Sequence, residues 1–192
     1  MPRRNVPFGR TSSHFTHIAN NLMAVLNDIK GAAAPAKILW VSCRLNKTGE
    51  QAPSPVFVGW VEDNEAIDIR VRKGCPYPPI DMRFGDTHPS ALYSECLRTP
   101  LGTMVSRNWA QQRPDSTSQR LGETCYGEKF RRSMPIKLGN RYIGTVNAGF
   151  LADPTATDGQ IKQKLEDWAQ KTSSQLVTYI DQNLNVGGIA HP

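Results

Sequence analysis

The feature that most restricts how this chain folds is a pair of β-rich runs close to each other in sequence. Lys129-Phe130-Arg131-Arg132-Ser133-Met134-Pro135-Ile136-Lys137 and Arg141-Tyr142-Ile143-Gly144-Thr145-Val146-Asn147-Ala148-Gly149-Phe150 are separated by Leu138-Gly139-Asn140. Gly and Asn tolerate positive φ, so the two runs read as strands of one β-hairpin. Pro135 has no N–H to give a ladder and suits a strand end or a bulge. Gly144 and Gly149 carry no side chain, so something bulky can approach the backbone there.

Other segments supply partners for this hairpin. Lys37 to Leu45 and Val56 to Glu62 are runs of β-formers on either side of a polar loop from Asn46 to Pro55, and predict a second antiparallel pair. Ala66 to Arg72 alternates Ile67, Ile69 and Val71 with Asp68, Arg70 and Arg72, which predicts a further strand. Cys75-Pro76-Tyr77-Pro78-Pro79 must be irregular. Phe15, Ile18, Ala19, Leu22, Met23, Leu26 and Ile29 follow Ser12 and Ser13 at helical spacing, and Gly31 and Pro35 end that helix. A short helix is predicted from Pro89 to Leu97, a short strand over Thr103 to Val105, and a mobile loop from Asn108 to Gly122. A long closing helix starts at a capping box of Thr157 and Gln160, with Asp158 favouring its N-terminus. Its apolar row runs from Ile161 through Leu165, Trp168, Thr172, Leu176 and Ile180 to Leu184, before Gly187-Gly188. The order is that of an α+β domain with an antiparallel sheet, spanning 12–186 between tails at 1–11 and 187–192.

Composition narrows the functions open to it. In 192 residues, 39% are hydrophobic and 21% charged, which excludes a disordered chain, a fibre or a coiled-coil rod. The excess of 23 Lys+Arg over 17 Asp+Glu leaves +6. Those charges sit in the N-terminal tail (Arg3, Arg4, Arg10) and two short clusters (Arg70, Arg72, Lys73 and Lys129, Arg131, Arg132). No helix carries a basic stripe with interleaved aromatics, so a nucleic-acid partner is disfavoured. With no apolar run of membrane-span length and no signal-peptide core in the first thirty residues, the expectation is a soluble cytoplasmic protein. Cys43, Cys75, Cys96 and Cys125 lie far apart with no CxxC, and all four are expected to be reduced and unpaired. His14 and His17 are three apart, but with no third ligand nearby they read as capping or exposed histidines, and no metal is expected.

The run Phe130 to Asn147, with Pro135-Ile136, the Gly139 turn and Ile143-Gly144, resembles the signature of GAF domains, the small-molecule sensor modules. The likeness extends from residue 13 to 184. It implies that the two terminal helices cover one sheet face and that loops over the other enclose a ligand pocket. Such domains bind cyclic nucleotides, tetrapyrroles, haem or amino acids, or nothing. The Cys-His pair of covalent tetrapyrrole binders is missing, since Cys96 precedes Leu97 and Cys125 precedes Tyr126. The residue set of the cyclic-nucleotide binders has no counterpart, and His88 is the one mid-chain candidate for a haem ligand, so the cofactor is left open. Segment 75–128 combines clustered prolines, a polar loop and aromatics, so a pocket is expected between it and the sheet. Its aromatic walls would come from Trp60, Tyr77, Phe84, Trp109 and Tyr126, and its polar groups from Asp86, Arg131 and Asn147. A chain of this length leaves no room for an output domain, so a signal is expected to pass to a separate partner protein.

Two other readings stand beside the sensor. One GAF-like family reduces free methionine sulfoxide with cysteines. Cys125 precedes Pro135 by ten residues, near that family's reactive cysteine, and Cys75 or Cys96 would resolve it. Leu101-Gly102-Thr103 stands where that family has Cys-Gly-Thr. The third reading is a dimerisation module with its pocket filled by its own side chains. A homodimer through the first and last helices is expected, because Ala24, Val25, Val177, Tyr179 and Leu184 widen their apolar stripes.

Overall fold

The hairpin anticipated from the Gly139 turn sits at the centre of the sheet. In the computed structural model, which describes residues 8–9, 13–46, 55–77, 91–100, 103–139, 141–183 and 189–190, Gly139 takes φ 56° and joins two long strands. Numbered in chain order, the strands are β1 (Phe8–Gly9), β2 (Ile38–Asn46), β3 (Pro55–Glu62), β4 (Val105–Asn108), β5 (Phe130–Leu138), β6 (Arg141–Phe150) and β7 (Ile189–Ala190). Five of them form an antiparallel sheet in the order β3-β2-β6-β5-β4. Two short strands add to it: β1 extends the edge at β3, with Phe8 and Gly9 opposite Trp60 and Gly59, and β7 pairs with the start of β6, with Ile189 and Ala190 opposite Tyr142 and Arg141. Both lie in stretches expected to be free tails, and both are tied to the sheet.

The helices are α1 (Ser13–Ala32), α2 (Asn64–Arg72), α3 (Ala91–Arg98), α4 (Thr117–Leu121) and α5 (Asp158–Asn183). Helices α1 and α5 cover one face, as the GAF likeness implied. Leu22, Leu26 and Ile29 of α1 and Ile161, Leu165 and Trp168 of α5 pack on Val41, Cys43, Val61, Met134, Ile136, Val146 and Phe150. Each fully buried aliphatic or aromatic side chain contributes about 1.5–3 kcal/mol, so this layer dominates stability. Arg132 ties the sheet to the start of α5 through Asp158, with Nε to Oδ1 at 2.7 Å and Nη2 to Oδ2 at 3.2 Å. The capping box does not form: Thr155–Thr157 is a 3-10 turn, and the Thr157 hydroxyl donates to the Pro154 carbonyl at 3.0 Å. Val25 is part of this core, so it adds nothing to a dimer surface. The side chains of Val177 and Tyr179, and all of Leu184, lie outside the described residues.

Segment 64–72 corrects the sequence reading: it is a helix. Asp63 caps it, its carboxylate accepting the Glu65 N–H at 3.1 Å and Lys30 Nζ at 2.6 Å. Ala66, Ile67 and Arg70 are buried at helical spacing, and Val71, which a strand would have turned inward, is 44% exposed. The alternating pattern fitted both periods over so short a span. Helix α3 packs over the sheet face away from α1 and α5, where Leu92 and Cys96 meet Val105 and Trp109. Among the described residues, no helix is long and apolar enough to cross a membrane.

Candidate functional site

Side chains alternate along a strand, so fixing Val41, Cys43, Val146 and Met134 on the helix side fixes their neighbours on the other. Trp40, Ser42 and Arg44 of β2, Trp60 and Glu62 of β3, Arg131 and Ser133 of β5, and Thr145, Asn147 and Gly149 of β6 therefore share the far face. The register aligns them in rows. Trp40 lies opposite Glu62 and Gly149, and Gly149 opposite Arg131. Ser42 lies opposite Trp60 and Asn147, and Asn147 opposite Ser133. Arg44 lies opposite Thr145. All of these side chains are buried.

The first row and its surroundings form an aromatic half. Trp40 and Trp60 stack at 4.5 Å, and Tyr126 continues the stack at 6.1 Å from Trp60. Room for Trp40 comes from Gly149, where a Cβ would fall 2.4 Å from the indole. Two carboxylates bracket the stack. Glu128 accepts Arg131 Nε at 2.7 Å and Nη2 at 3.0 Å, and also the indole N–H groups of Trp40 at 3.1 Å and Trp109 at 3.3 Å. The Arg131 guanidinium lies 4.7 Å from the Trp40 ring and 5.4 Å from the Trp109 ring. Burial pushes the Glu128 carboxyl up, against the opposing pull of Arg131 and the two indoles. Gly122 leaves space for it, since a Cβ there would lie 2.1 Å from Oε2. Glu62 accepts Arg70 Nε at 2.7 Å and Nη2 at 3.1 Å, and the Tyr126 hydroxyl donates to its Oε1. Burial, reinforced by Glu62, pushes the Tyr126 phenol far above its ordinary range. The Tyr77 hydroxyl donates to the Trp60 carbonyl at 3.2 Å, and its ring lies 5.1 Å from the Arg70 guanidinium.

The other half of the face is polar. Ser133 Oγ donates to Asn147 Oδ1 at 2.7 Å, and Asn147 Nδ2 donates to Thr145 Oγ1 at 3.2 Å. Ser42 and Arg44 flank this chain across the β2–β6 ladder.

Beside the aromatic half, Cys75 and Cys125 are joined in a disulfide with their Cα atoms 5.9 Å apart. This overturns the expectation of four unpaired thiols. Helix α2 returns the chain from the β3 edge and delivers Cys75 to the π-helical turn Gly122–Tyr126, a meeting that spacing alone does not reveal. Cys43 and Cys96 are free, in separate cores, and burial pushes both thiols up, away from reactivity. Cys96, read as a candidate resolving cysteine, packs with Leu92, Val105 and Trp109.

Of the predicted ligand-binding residues, Trp60, Tyr77, Trp109, Tyr126 and Arg131 gather in the aromatic half, and Asn147 centres the polar half. Phe84, Asp86 and the candidate haem ligand His88 lie outside the described residues, as do the side chains of His14 and His17. Among the described residues there is no group of three metal-ligating side chains. Sequence reasoning missed Trp40, Glu62, Arg70 and Glu128. The available signal was a Trp in an aliphatic strand and carboxylates abutting apolar strands at Glu62 and Glu128. The space at Gly149 is taken by Trp40 and that at Gly144 by the Arg44 carbonyl. The aromatic half is thus satisfied by the protein itself, with Arg131 as the cation in its cage. The polar half carries hydroxyl, amide and guanidinium groups suited to a polar ligand, and the disulfide can undergo thiol exchange.

No protein-family model matches the sequence, and no curated protein is similar to it. Solved structures do share its fold, which is GAF-like. One is the blue-light-absorbing form of the PixJ GAF domain of Thermosynechococcus elongatus. It has a TM-score of 0.54 at 8% identity, covering 91% of this chain and 98% of that one. Another is the type II free methionine-R-sulfoxide reductase of Thermoplasma acidophilum, with TM-score 0.53 at 10% identity, covering 88% and 97%. A domain of a two-component sensor histidine kinase protein of Sinorhizobium meliloti has TM-score 0.50 at 15% identity, covering 85% and 96%.

Proposed function

We propose that this chain is a GAF-type sensor domain that binds a small polar metabolite against Ser42, Arg44, Ser133, Thr145 and Asn147. The reading takes the protein as cytoplasmic and its signal as passing to a separate partner protein. The observation that carries it is a row of buried polar groups on the three central strands. Ser133, Asn147 and Thr145 bond one another in this row, and filling a core needs no such arrangement, since apolar side chains of similar size do so without desolvating polar groups. The opposite face of the same strands is apolar apart from Arg132, which pairs with Asp158 of α5. Ligand sites combine apolar walls with a few placed polar groups, and the stacked aromatics next to this row supply such a wall. The light-absorbing and sensor-kinase neighbours support the class of function and not the ligand. The test is a thermal-shift screen against amino acids, nucleosides and organic acids, followed by calorimetry on hits. A hit should raise the melting temperature, and Asn147→Leu should weaken it at least about tenfold. A panel with no binder, or binding indifferent to Asn147→Leu, overturns the reading.

The disulfide supports a second reading, a cysteine-dependent reductase of free methionine sulfoxide. There the Cys125 thiol would take the sulfoxide oxygen as a sulfenic acid and release the thioether. Cys75 would then displace water to give the disulfide, and an external dithiol would restore both thiols. Turnover of free methionine-R-sulfoxide that Cys125→Ser abolishes supports it, and a rate that survives Cys125→Ser ends it.

A further inference from the structure

We propose that the Cys75–Cys125 disulfide is a reversible thiol switch that fastens the cover of the polar sheet face and takes a dithiol as its reductant. The consequence for ligand access rests on the sensor reading; the mechanical part does not. The bond closes a covalent ring from residue 75 to residue 125, and that ring contains α3, β4 and α4. Helix α3 packs on β4, β5 and β6, and the Tyr142 hydroxyl donates to the Thr99 carbonyl just beyond its end at 2.9 Å. The disulfide thus ties together the two ends of a ring whose helix α3 packs on β5 and β6, the strands that carry Ser133, Thr145 and Asn147.

Both ends converge on one carboxylate. Arg70 holds Glu62 with one side of its guanidinium and donates from Nη1 to the Cys75 carbonyl at 3.1 Å. Tyr126, next to Cys125, donates to the same Glu62. Lys73 bridges the gap a second time, its Nζ donating to the Thr124 carbonyl at 2.8 Å. Breaking the bond leaves these contacts to hold the ring alone. A cross-link disfavours the open ensemble by removing its chain entropy, so reduction shifts the cover toward opening.

The chemistry selects this pair. Cys43 and Cys96 are sealed in apolar cores. Cys125 is 1% exposed, whereas Cys75 is half-buried between exposed Gly74 and Pro76. An incoming thiolate therefore attacks Cys75 Sγ, forming a mixed disulfide and expelling the Cys125 thiolate, which takes a proton. The second thiol of the reductant attacks its own sulfur in the mixed disulfide and releases Cys75. The protein disulfide gains two electrons and two protons, and the dithiol leaves as a disulfide.

Hydrogen exchange of the full chain, with no ligand added, tests this with dithiothreitol as the probe. Reduction should speed exchange over α3, β4 and α4 at least about tenfold, while β2, β6, α1 and the first turns of α5 stay unchanged. Cys75→Ser should exchange at the fast rate without dithiothreitol and ignore its addition; wild-type protein with and without the reductant suffices if that variant does not fold. Identical exchange in the two states overturns the proposal, as does a count of four thiols in air-equilibrated, denatured protein. Metabolites that fail to bind would sink the sensor reading and leave this result untouched.

Discussion

Gly149 shows at a single residue how the far face is built. A Cβ there would sit 2.4 Å from the Trp40 ring, which is itself held by the stack on Trp60 and the bond to Glu128. The ring has no room to retreat, so Gly149→Ala should lower unfolding free energy by about 1–3 kcal/mol, measured by urea titration. Tyr126 makes a different test, because its phenol is held protonated by burial and by Glu62. The unfolded chain loses that proton near pH 10, so above that pH it binds fewer protons than the folded chain. Stability contributed by the raised phenol is intact below about pH 10 and falls as pH rises beyond it. Tyr126→Phe should flatten the alkaline limb of melting temperature against pH. A limb as steep as wild type between about pH 10 and 11 would mean that Tyr126 does not carry it. Neither environment was legible in the sequence. Gly149 marked a close approach, but its occupant, Trp40, comes from a strand about a hundred residues earlier, and Glu62 and Tyr126 meet only through the fold.

Elements were more legible than sites, for reasons of period and length. The long apolar rows of α1 and α5, and the Gly139 turn between two long strands, leave little ambiguity about the elements, while their layering was implied by the resemblance to GAF domains. Helix α2 spans only Asn64–Arg72, and there Ile67, Ile69 and Val71 satisfy a strand while Ala66, Ile67 and Arg70 satisfy a helix. The cap at Asp63, with Lys30 on its other oxygen, decides in favour of the helix. The difference is measurable. Val71→Thr, at an exposed helical position, should change stability by less than about 0.5 kcal/mol, while Ile67→Ala, buried at 8% exposure, should cost about 2 kcal/mol or more. A strand would make the two costs alike. The disulfide was illegible for a different reason: four cysteines far apart in sequence, with no CxxC, read as free thiols, and only α2 and the π-helical turn bring Cys75 to Cys125.

At the scale of the whole molecule, the sheet separates two interiors of different character. The layer under α1 and α5 is apolar and continuous, and neither disulfide cysteine belongs to it. The far side is divided between the aromatic cluster around Trp60, which holds the Arg70–Glu62 pair, and the small cluster under α3, bridged to it by the buried Arg131–Glu128 pair. Such pairs offset their own desolvation and little more, so the far side depends more heavily on its cross-link. A separation of 50 residues between the cysteines corresponds to about 4 kcal/mol of lost chain entropy in the unfolded state. For a domain of this size each kcal/mol shifts melting by about 2–4 °C, so reduction should lower the midpoint by roughly 8–16 °C. Because the layer under α1 and α5 is untouched, far-ultraviolet dichroism of the reduced protein below its midpoint should match that of the oxidised form. Cys43→Ser and Cys96→Ala, which remove buried thiols outside the bond, should leave the gap between oxidised and reduced midpoints unchanged. A gap under about 2 °C would mean that the contacts of Arg70, Lys73 and Tyr126 already hold the far side without the disulfide.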